Sequence, residues 1–311
     1  MSGGQSGVSA AQISTERLWT TAADGRRVAV WRSSSGEAPG RPVVVLAAGF
    51  GRRMRHVGPI ALYLARSSAV VYRYDPLDHV GLSDGEIRDY SLTSSLSSMR
   101  AAVDLAVERE RSAQVTLVAA SMAGRVAYRL AGHDPRVAAV ATLVGVVDMR
   151  RTLAAVFGAD YATYELAELP ADVKFEKHRV DPRPLWLDDR EHGWASIEGT
   201  IEDLRRTSAP VTNFWAADDD WVRPEDVERV FEEGTGGPRQ LFELPFGQHD
   251  LSGNPVAARV VMRALTEVVV GDAAPGGQVH DPSFEEVVEL AVSERRAESA
   301  QLAENMEEAR R

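Results

Sequence analysis

One stretch decides the fold of this chain, and it reads Val115-Thr116-Leu117-Val118-Ala119-Ala120-Ser121-Met122-Ala123-Gly124-Arg125-Val126. Its first five residues are apolar or β-branched and predict a buried strand. From Val126 and Leu130 onward the apolar residues recur at helical spacing, so the strand leads directly into a helix. Ser121 stands at this junction among small residues, with Ala119 and Ala123 where the usual motif has glycines. Such a turn lifts a serine oxygen above the edge of a sheet, as in a nucleophile elbow.

Strand-like and helix-like segments alternate on both sides of this stretch. The predicted strands are 43–47, 69–74, 115–119, 137–144, 210–215 and 240–244, and helical patterns such as 60–65 and 92–108 lie between them. Continuous apolar strands separated by helices predict an α/β fold with a mostly parallel, doubly wound sheet. A hairpin from Glu16 to Trp31, turning at Asp24-Gly25, is predicted before this sheet.

The alternation stops between residues 148 and 206, where aromatic residues and prolines are mixed with charges and no strong strand is visible. We predict a helical cap insertion there, lying over the carboxyl edge of the sheet. The main domain is placed at 12–272 and a helical extension at 273–311. The charged run 285–311 predicts a helix that packs on its own domain or on a partner.

Composition excludes several classes of function. The net charge of −11 repels nucleic acid, and the absence of cysteine excludes disulfides, thiol catalysis and thiolate metal sites. Residues 1–11 lack the basic and apolar regions of a signal peptide. The most apolar run, 137–149, is far shorter than the roughly 20 residues of a membrane span. A cytoplasmic, soluble protein is the expectation.

An acid and a histidine follow Ser121 in the order that doubly wound hydrolases use. A serine hydroxyl needs a histidine base, and that histidine needs an orienting carboxylate. Asp218-Asp219-Asp220-Trp221-Val222 follows one predicted strand, and His249 follows the next. The Asp-x-x-Val spacing favours Asp219 as the acid, while Asp218 and Asp220 remain alternatives. A lone serine is usually a helix cap and a lone histidine a surface residue, so only the joint order indicates a catalytic triad.

Backbone N–H groups of Phe50 and Met122 are the predicted oxyanion hole, one after an early strand and one after the serine. Gly49 and Gly51 let the loop approach a ligand closely. A dinucleotide loop is disfavoured because Met54 stands in place of the third glycine. No P-loop or HExxH motif is present, so no metal and no cofactor are predicted.

Motifs spread over residues 40–300 resemble the acyl transferase (thioesterase) subunit of the bacterial bioluminescence fatty acid reductase system. The matching motifs are Gly49-Phe50-Gly51-Arg52-Arg53-Met54, Tyr72-Arg73-Tyr74-Asp75, His79-Val80-Gly81-Leu82-Ser83, Ala119-Ala120-Ser121, Arg125-Val126-Ala127-Tyr128, Val144-Gly145-Val146-Val147, Glu168-Leu169-Pro170, Asp219-Asp220-Trp221-Val222, His249-Asp250-Leu251, Asp281-Pro282-x-Phe284 and Glu294-Arg295-Arg296. The resemblance implies an α/β-hydrolase fold and removal of acyl groups from acyl carrier protein through an acyl-serine. Its motifs place the nucleophile, acid and base on Ser121, Asp219 and His249. The same chemistry would serve fatty acid or polyketide metabolism.

A thioester substrate requires an apolar site for its acyl chain. The candidates are Phe50, Met122, Trp186, Trp194, Trp215 and Trp221, of which Trp186 and Trp215 are predicted to bind substrate together with Gly49. Plain packing is the alternative for each of them. The basic cluster, defined as Arg52, Arg53, Arg55 and His56, either receives an acidic acyl carrier protein or phosphopantetheine phosphate or pairs with local carboxylates. Self-association is left open.

Two other functions fit the same sequence. A carboxylesterase or lipase would use the same triad on oxygen esters, and a non-catalytic binding protein would keep the fold alone. Relative rates on a thioester and its matching oxygen ester distinguish the first from a thioesterase. Failure to react with a fluorophosphonate would support the second.

Overall fold

A computed structural model describes residues 13–36, 40–244, 247–250, 254–271 and 283–308. The strands are β1 (Ser14–Thr21), β2 (Arg27–Ser34), β3 (Val43–Ala47), β4 (Val70–Tyr74), β5 (Val115–Ala120), β6 (Val137–Leu143), β7 (Val173–Phe175), β8 (His178–Val180), β9 (Val211–Ala216) and β10 (Arg239–Leu244). The helices are α1 (Gly58–Arg66), α2 (Leu92–Glu110), α3 (Met122–His133), α4 (Met149–Phe157), α5 (Pro182–His192), α6 (Ile197–Arg206), α7 (Pro224–Glu233), α8 (Pro255–Val270) and α9 (Phe284–Glu308). Some predictions concern positions outside these described ranges, namely residues 1–11, the boundary at 272–273, and the motif residues Leu251, Asp281 and Pro282.

The central sheet has eight strands in the order β1-β2-β4-β3-β5-β6-β9-β10. The strand β2 runs antiparallel to both of its neighbours, and the pairs from β4 to β10 are all parallel. The mostly parallel α/β class and the amino-terminal hairpin are therefore confirmed. Because the carboxyl ends of parallel strands meet at one edge, the loops after β3, β5, β9 and β10 come together there.

Helices cover both faces of the sheet, which explains why its inner strands are mostly apolar. The helices α1 and α8 pack on one face, where Leu46 and Leu143 of the sheet contact a core that includes Leu64 and Leu265. The helices α2, α3, α6 and α7 pack on the other face. Among the described residues, none of the helices has the length and apolar character that a membrane crossing requires.

The interval between β6 and β9 differs from the predicted all-helical cap. It contains α4, α5 and α6 but also the short antiparallel pair β7–β8. Each of these strands has three residues, too few for an alternating pattern to be recognised against the surrounding charges. The helix α6 packs against α3 in the helical layer of the main domain, and Asp203 of α6 pairs with the buried Arg125 of α3 at 2.7 Å.

The carboxyl-terminal helix α9 lies on its own domain. Its residue Leu290 is buried in a cluster with Leu62, Tyr63 and Met262. Glu294 forms an ion pair of 2.7 Å with Arg73 of β4, and both side chains are almost completely buried. The charged run is predicted to pack either on its own domain or on a partner. The described part of α9 packs on its own domain.

Candidate active site

Ser121 occupies a strained turn between β5 and α3. Its φ of 53° and ψ of −126° lie where residues with a side chain are rarely found. The Ser121 N–H donates to the Leu143 carbonyl at 2.8 Å, and the Ser121 carbonyl accepts from Val146 N–H at 3.1 Å. These bonds to the end of β6 and its following loop hold the turn in place. The sequence prediction of a strand-to-helix turn at this serine therefore agrees with the backbone.

The small residues around the serine are required by close approaches. A Cβ added at Gly49 would lie 3.0 Å from the Ser121 Cβ, and one at Gly124 would lie 3.0 Å from the Gly145 Cα. Larger residues at these positions would push the turn away from the neighbouring loops. Glycine thus relieves crowding at 49 and 124, whereas positions 119 and 123 accommodate alanine.

A hydrogen-bonded path joins the serine to a carboxylate. The Ser121 Oγ lies 2.6 Å from His249 Nε2, and His249 Nδ1 lies 2.8 Å from Asp219 Oδ2. The carboxylate at Nδ1 requires the proton to be there, because a carboxylate only accepts. The Nε2 lone pair therefore faces the serine hydroxyl, and the arrangement can accept its proton.

Only the middle one of the three adjacent aspartates takes part in this path. Asp219 Oδ1 accepts hydrogen bonds from the N–H groups of Trp221 at 2.8 Å and Val222 at 2.9 Å, which orient the carboxylate. Asp218 and Asp220 are exposed. The Asp-x-x-Val spacing orients the carboxylate because the backbone N–H of Val222 donates to it. The Trp221 ring packs against His249, with the ring centroids 4.5 Å apart.

The predicted oxyanion residues flank the serine. Gly49 contacts Ser121, so Phe50 follows immediately beside it on the loop after β3. Met122 is the first residue of α3, and its N–H consequently has no partner within the helix. One predicted donor is thus on the loop after β3, next to the residue that adjoins Ser121, and the other is at the start of α3, directly after Ser121.

A cavity of about 360 Å³ opens beside Ser121 and His249. It lies at the carboxyl edge of the sheet, against the first turn of α1 and the first two turns of α8. Its apolar lining is Ala48, Phe50, Val57, Pro59, Ile60, Ala120, Leu143, Val144, Phe175, Trp221, Ala258, Val261, Met262 and Ala291. Arg52, His56, Glu176 and Asp250 contribute its polar groups. The cavity can therefore hold an extended apolar group with its polar end near the serine.

The tryptophan predictions need correction, because only Trp221 lines this cavity. Trp186 lines a separate cavity of about 50 Å³ and donates from its indole to the Tyr164 carbonyl at 3.1 Å. Trp215 packs against the main core, and Trp194 is buried beneath the guanidinium of Arg129. The predicted positions of Trp186 and Trp215 beside the substrate fail because residue type does not reveal which way a side chain points.

Aliphatic residues of α1 and α8 supply much of the lining, and sequence reasoning missed them. Ile60, Val261 and Met262 have the same helical spacing as ordinary core residues. No sequence signal separates the two roles. Phe175 of β7 was missed because its strand was not predicted, yet its ring packs 5.0 Å from Phe50 and 5.8 Å from Trp221.

The basic cluster pairs with local carboxylates, which was one of its two predicted roles. Arg52 lies 2.8 Å from Glu176 and 3.2 Å from Asp250. Both Arg53 and Arg55 pair with Glu298 of α9. For the fourth member, His56, burial and the nearby arginine charges lower the pKa to about 4, which leaves it neutral at pH 7.

The family model described as acyl transferase matches residues 19–302. The chain belongs to the acyl transferase family. It is 34% identical over 281 residues to an acyl transferase of Vibrio campbellii, covering 88% of this chain and 91% of the relative. The fold likeness extends to Est1E of Butyrivibrio proteoclasticus with ferulic acid bound, with a TM-score of 0.64 and 17% identity over 80% of this chain and 95% of that one. The thioesterase domain of the curacin biosynthetic pathway has a TM-score of 0.53 and 16% identity over 83% of this chain and 99% of that one.

The structural likenesses show the α/β-hydrolase fold, and the family match shows an acyl-transfer role. The expected resemblance to the bioluminescence acyl transferases is confirmed by relatives from Vibrio and Photobacterium.

Proposed function

We propose that this acyl transferase removes acyl groups from thioesters by way of an acyl-serine intermediate on Ser121. The observation that carries the proposal is the path Asp219–His249–Ser121, with contacts of 2.8 and 2.6 Å. Nucleophile and base within hydrogen-bond reach, with a third group orienting the base, are the requirements of serine catalysis. We assign these three residues the roles of acid, base and nucleophile.

The reaction proceeds in two acyl transfers. His249 takes the Ser121 proton as Oγ attacks the thioester carbonyl, and the resulting oxyanion binds the N–H groups of Phe50 and Met122. The tetrahedral intermediate collapses, the C–S bond breaks, and His249 returns the proton to the leaving thiolate. Water or an alcohol then attacks the acyl ester as His249 takes its proton. The bond between the acyl carbon and Ser121 Oγ breaks, the acid or ester leaves, and His249 returns the proton to Ser121 Oγ.

The cavity beside Ser121 is the proposed acyl site. Burial of methylenes against Ile60, Val261 and Met262 supplies binding energy of about 0.8 kcal/mol for each CH₂ removed from water. This assignment replaces Trp186 and Trp215 with aliphatic residues of α1 and α8. Phe50 and Trp221 remain in the proposed site, and Trp221 packs against the ring of His249.

The thioester carrier is proposed to dock on the β7–β8 hairpin. Lys174 and Lys177 are the only lysines in the sequence, and both are exposed on this hairpin. The intervening residues Phe175 and Glu176 line the cavity. An otherwise acidic chain thus presents exposed positive charge beside the cavity, which suits the phosphate of phosphopantetheine on an acidic acyl carrier protein. Fatty acid or polyketide metabolism in the cytoplasm is the proposed setting.

The deciding experiment mixes the wild-type protein and Ser121→Ala briefly with acyl thioesters of increasing chain length. Intact-protein mass spectrometry should show an acyl adduct on the wild type alone, and Ser121→Ala should lose turnover by about a million-fold. Substantial turnover by Ser121→Ala would overturn the assignment of the nucleophile. Faster cleavage of the matched oxygen ester would favour a carboxylesterase. Failure of Ser121 to react with either substrate or with a fluorophosphonate would favour a binding protein.

A further inference from the structure

His79 is a buried histidine outside the proposed triad that bonds to the loop carrying Phe50. Its Nε2 accepts a hydrogen bond from the Gly51 N–H at 2.9 Å. The His79 ring also packs 5.4 Å from the Phe50 ring and 5.3 Å from Tyr90. The proposed mechanism assigns this side chain no task, although it is only 5% exposed.

The hydrogen bond requires neutral His79. Burial lowers the pKa of this imidazole to about 3, so it carries no charge at pH 7. Because Nε2 accepts from Gly51, the single ring proton belongs on Nδ1. An apolar residue of similar size would keep the packing but leave the buried Gly51 N–H without its acceptor.

Asp75 holds the same loop at a second point. One carboxylate oxygen accepts from the Met54 N–H at 2.7 Å and the other from the Leu82 N–H at 2.9 Å. The segment after β4, which contains both Asp75 and His79, therefore holds the segment after β3 at residues 51 and 54. Within the segment after β4, Gly81 lies close against the Asp75 carboxylate, since an added Cβ would lie 2.2 Å from the Asp75 Cγ.

The hydrogen bond to His79 restrains the backbone at a glycine. Gly51 has a φ of 74°, and as a glycine it has access to many other conformations. Fixing the Gly51 N–H fixes the peptide plane between residues 50 and 51, directly after the proposed oxyanion donor Phe50. An oxyanion hole stabilises the transition state only if its donors are already oriented before charge develops.

We infer that His79 is a positioning residue for the oxyanion hole, acting through its acceptor bond to Gly51. This inference rests on the proposed function, since it assumes that an oxyanion forms beside Phe50. His79 does not touch the reacting atoms. Its effect should therefore appear in affinity for a tetrahedral oxyanion and not in affinity for the acyl chain.

The test compares His79→Leu with His79→Gln, which differ mainly in the acceptor oxygen of glutamine. The probe is a long-chain alkyl trifluoromethyl ketone, to which Ser121 adds while its proton passes to His249, leaving the ketone oxygen as an oxyanion. We expect His79→Leu to weaken ketone binding by about 10- to 100-fold, with binding of the free fatty acid changed by less than about twofold. His79→Gln should recover most of the ketone affinity.

The outcomes distinguish a failure of this inference from a failure of the proposed function. If the wild-type protein forms the ketone adduct and His79→Leu and His79→Gln weaken ketone binding equally, His79 is only a packing residue. Wild-type protein that forms no adduct at Ser121 would overturn the proposed function and the inference together. Independently of any variant, ¹⁵N spectra of the wild-type imidazole should show an unprotonated Nε2 at pH 7. A protonated Nε2 would overturn the inference.

Discussion

At the scale of single residues, backbone hydrogen bonds distinguish side chains that have the same chemical type. Three aspartates follow β9, but the N–H groups of Trp221 and Val222 orient only Asp219 toward His249. The chemical type of the residue is the same at all three positions. The hydrogen bonds to the carboxylate, and hence its direction, differ.

Replacing these aspartates one at a time should separate them. Asp219→Asn places an amide against His249 Nδ1, favours the wrong tautomer and should lower kcat by roughly 10³- to 10⁴-fold. Asp218→Asn and Asp220→Asn are matched controls on exposed side chains and should stay within about twofold. Steady-state kinetics on one acyl thioester measure all three. Equal losses in the three variants would contradict the assignment of the acid.

At the scale of elements, the carboxyl-terminal helix and the β7–β8 hairpin both complete the surroundings of the site. The helix α9 supplies Ala291 to the cavity and Glu298 to the arginines that follow the Phe50 loop. The hairpin supplies Phe175 between Phe50 and Trp221. Neither element belongs to the central sheet, yet each packs on residues next to the serine.

The buried ion pair between α9 and β4 should be important for stability. Glu294→Gln leaves the guanidinium of Arg73 buried without its counter-charge and should lower the free energy of unfolding by about 3–5 kcal/mol. Urea denaturation measures this change. Glu289→Gln, at an exposed position of the same helix, is the matched control and should be nearly neutral. A similar small effect from both variants would show that α9 contributes little to the stability of the domain.

Charge reversal on the hairpin should affect carrier recognition alone. We expect Lys174→Glu with Lys177→Glu to raise KM for an acyl carrier protein thioester by roughly five- to tenfold, because the reversed charges repel an acidic carrier. The same pair should leave KM for a small uncharged thioester unchanged. Arg100→Glu with Arg111→Glu, on the exposed surface of α2 and at its end, is the control pair. An unchanged KM for the carrier substrate would remove the hairpin from the docking surface.

At the scale of the whole molecule, the cavity lies where α1 and α8 of one helical layer meet the carboxyl edge of the sheet. Ile60 of α1 and Val261 and Met262 of α8 line this space. The sheet edge places Ser121 and His249 at the same space. The lining of the cavity is therefore set by helix packing, whereas the positions of Ser121, Asp219 and His249 are set by the loops that follow the strands.

Chain-length preference should respond to Ile60 and not to Trp186. Ile60→Trp fills part of the cavity and should lower kcat/KM for long-chain relative to short-chain acyl thioesters by about tenfold or more. Trp186→Ala alters a different cavity and should leave that ratio unchanged. Competition between two thioesters in one reaction measures the ratio directly. If only Trp186→Ala changed this ratio, the acyl site would lie in the cap instead.

The features that could be predicted from the sequence are local and periodic. Apolar runs predicted every parallel strand to within a residue or two, and the strand-to-helix turn marked Ser121. Chain order then indicated which residues follow the strand ends, because parallel strands bring those ends to one edge. Strong periodicity and chain order are properties of neighbouring residues, so they can be read without knowledge of packing.

The directions of side chains and the distances between residues far apart in the chain could not be predicted and depend on the packing of the fold. Trp186, Trp215 and Trp221 are the same residue type, and just the last one faces the cavity. The arginines after Phe50 were equally suited to a carrier or to local acids, and the fold brought Glu298 of α9 to two of them. His79 reached Gly51 because β4 pairs with β3. Such contacts join residues far apart in the chain, and packing rather than residue type selects them.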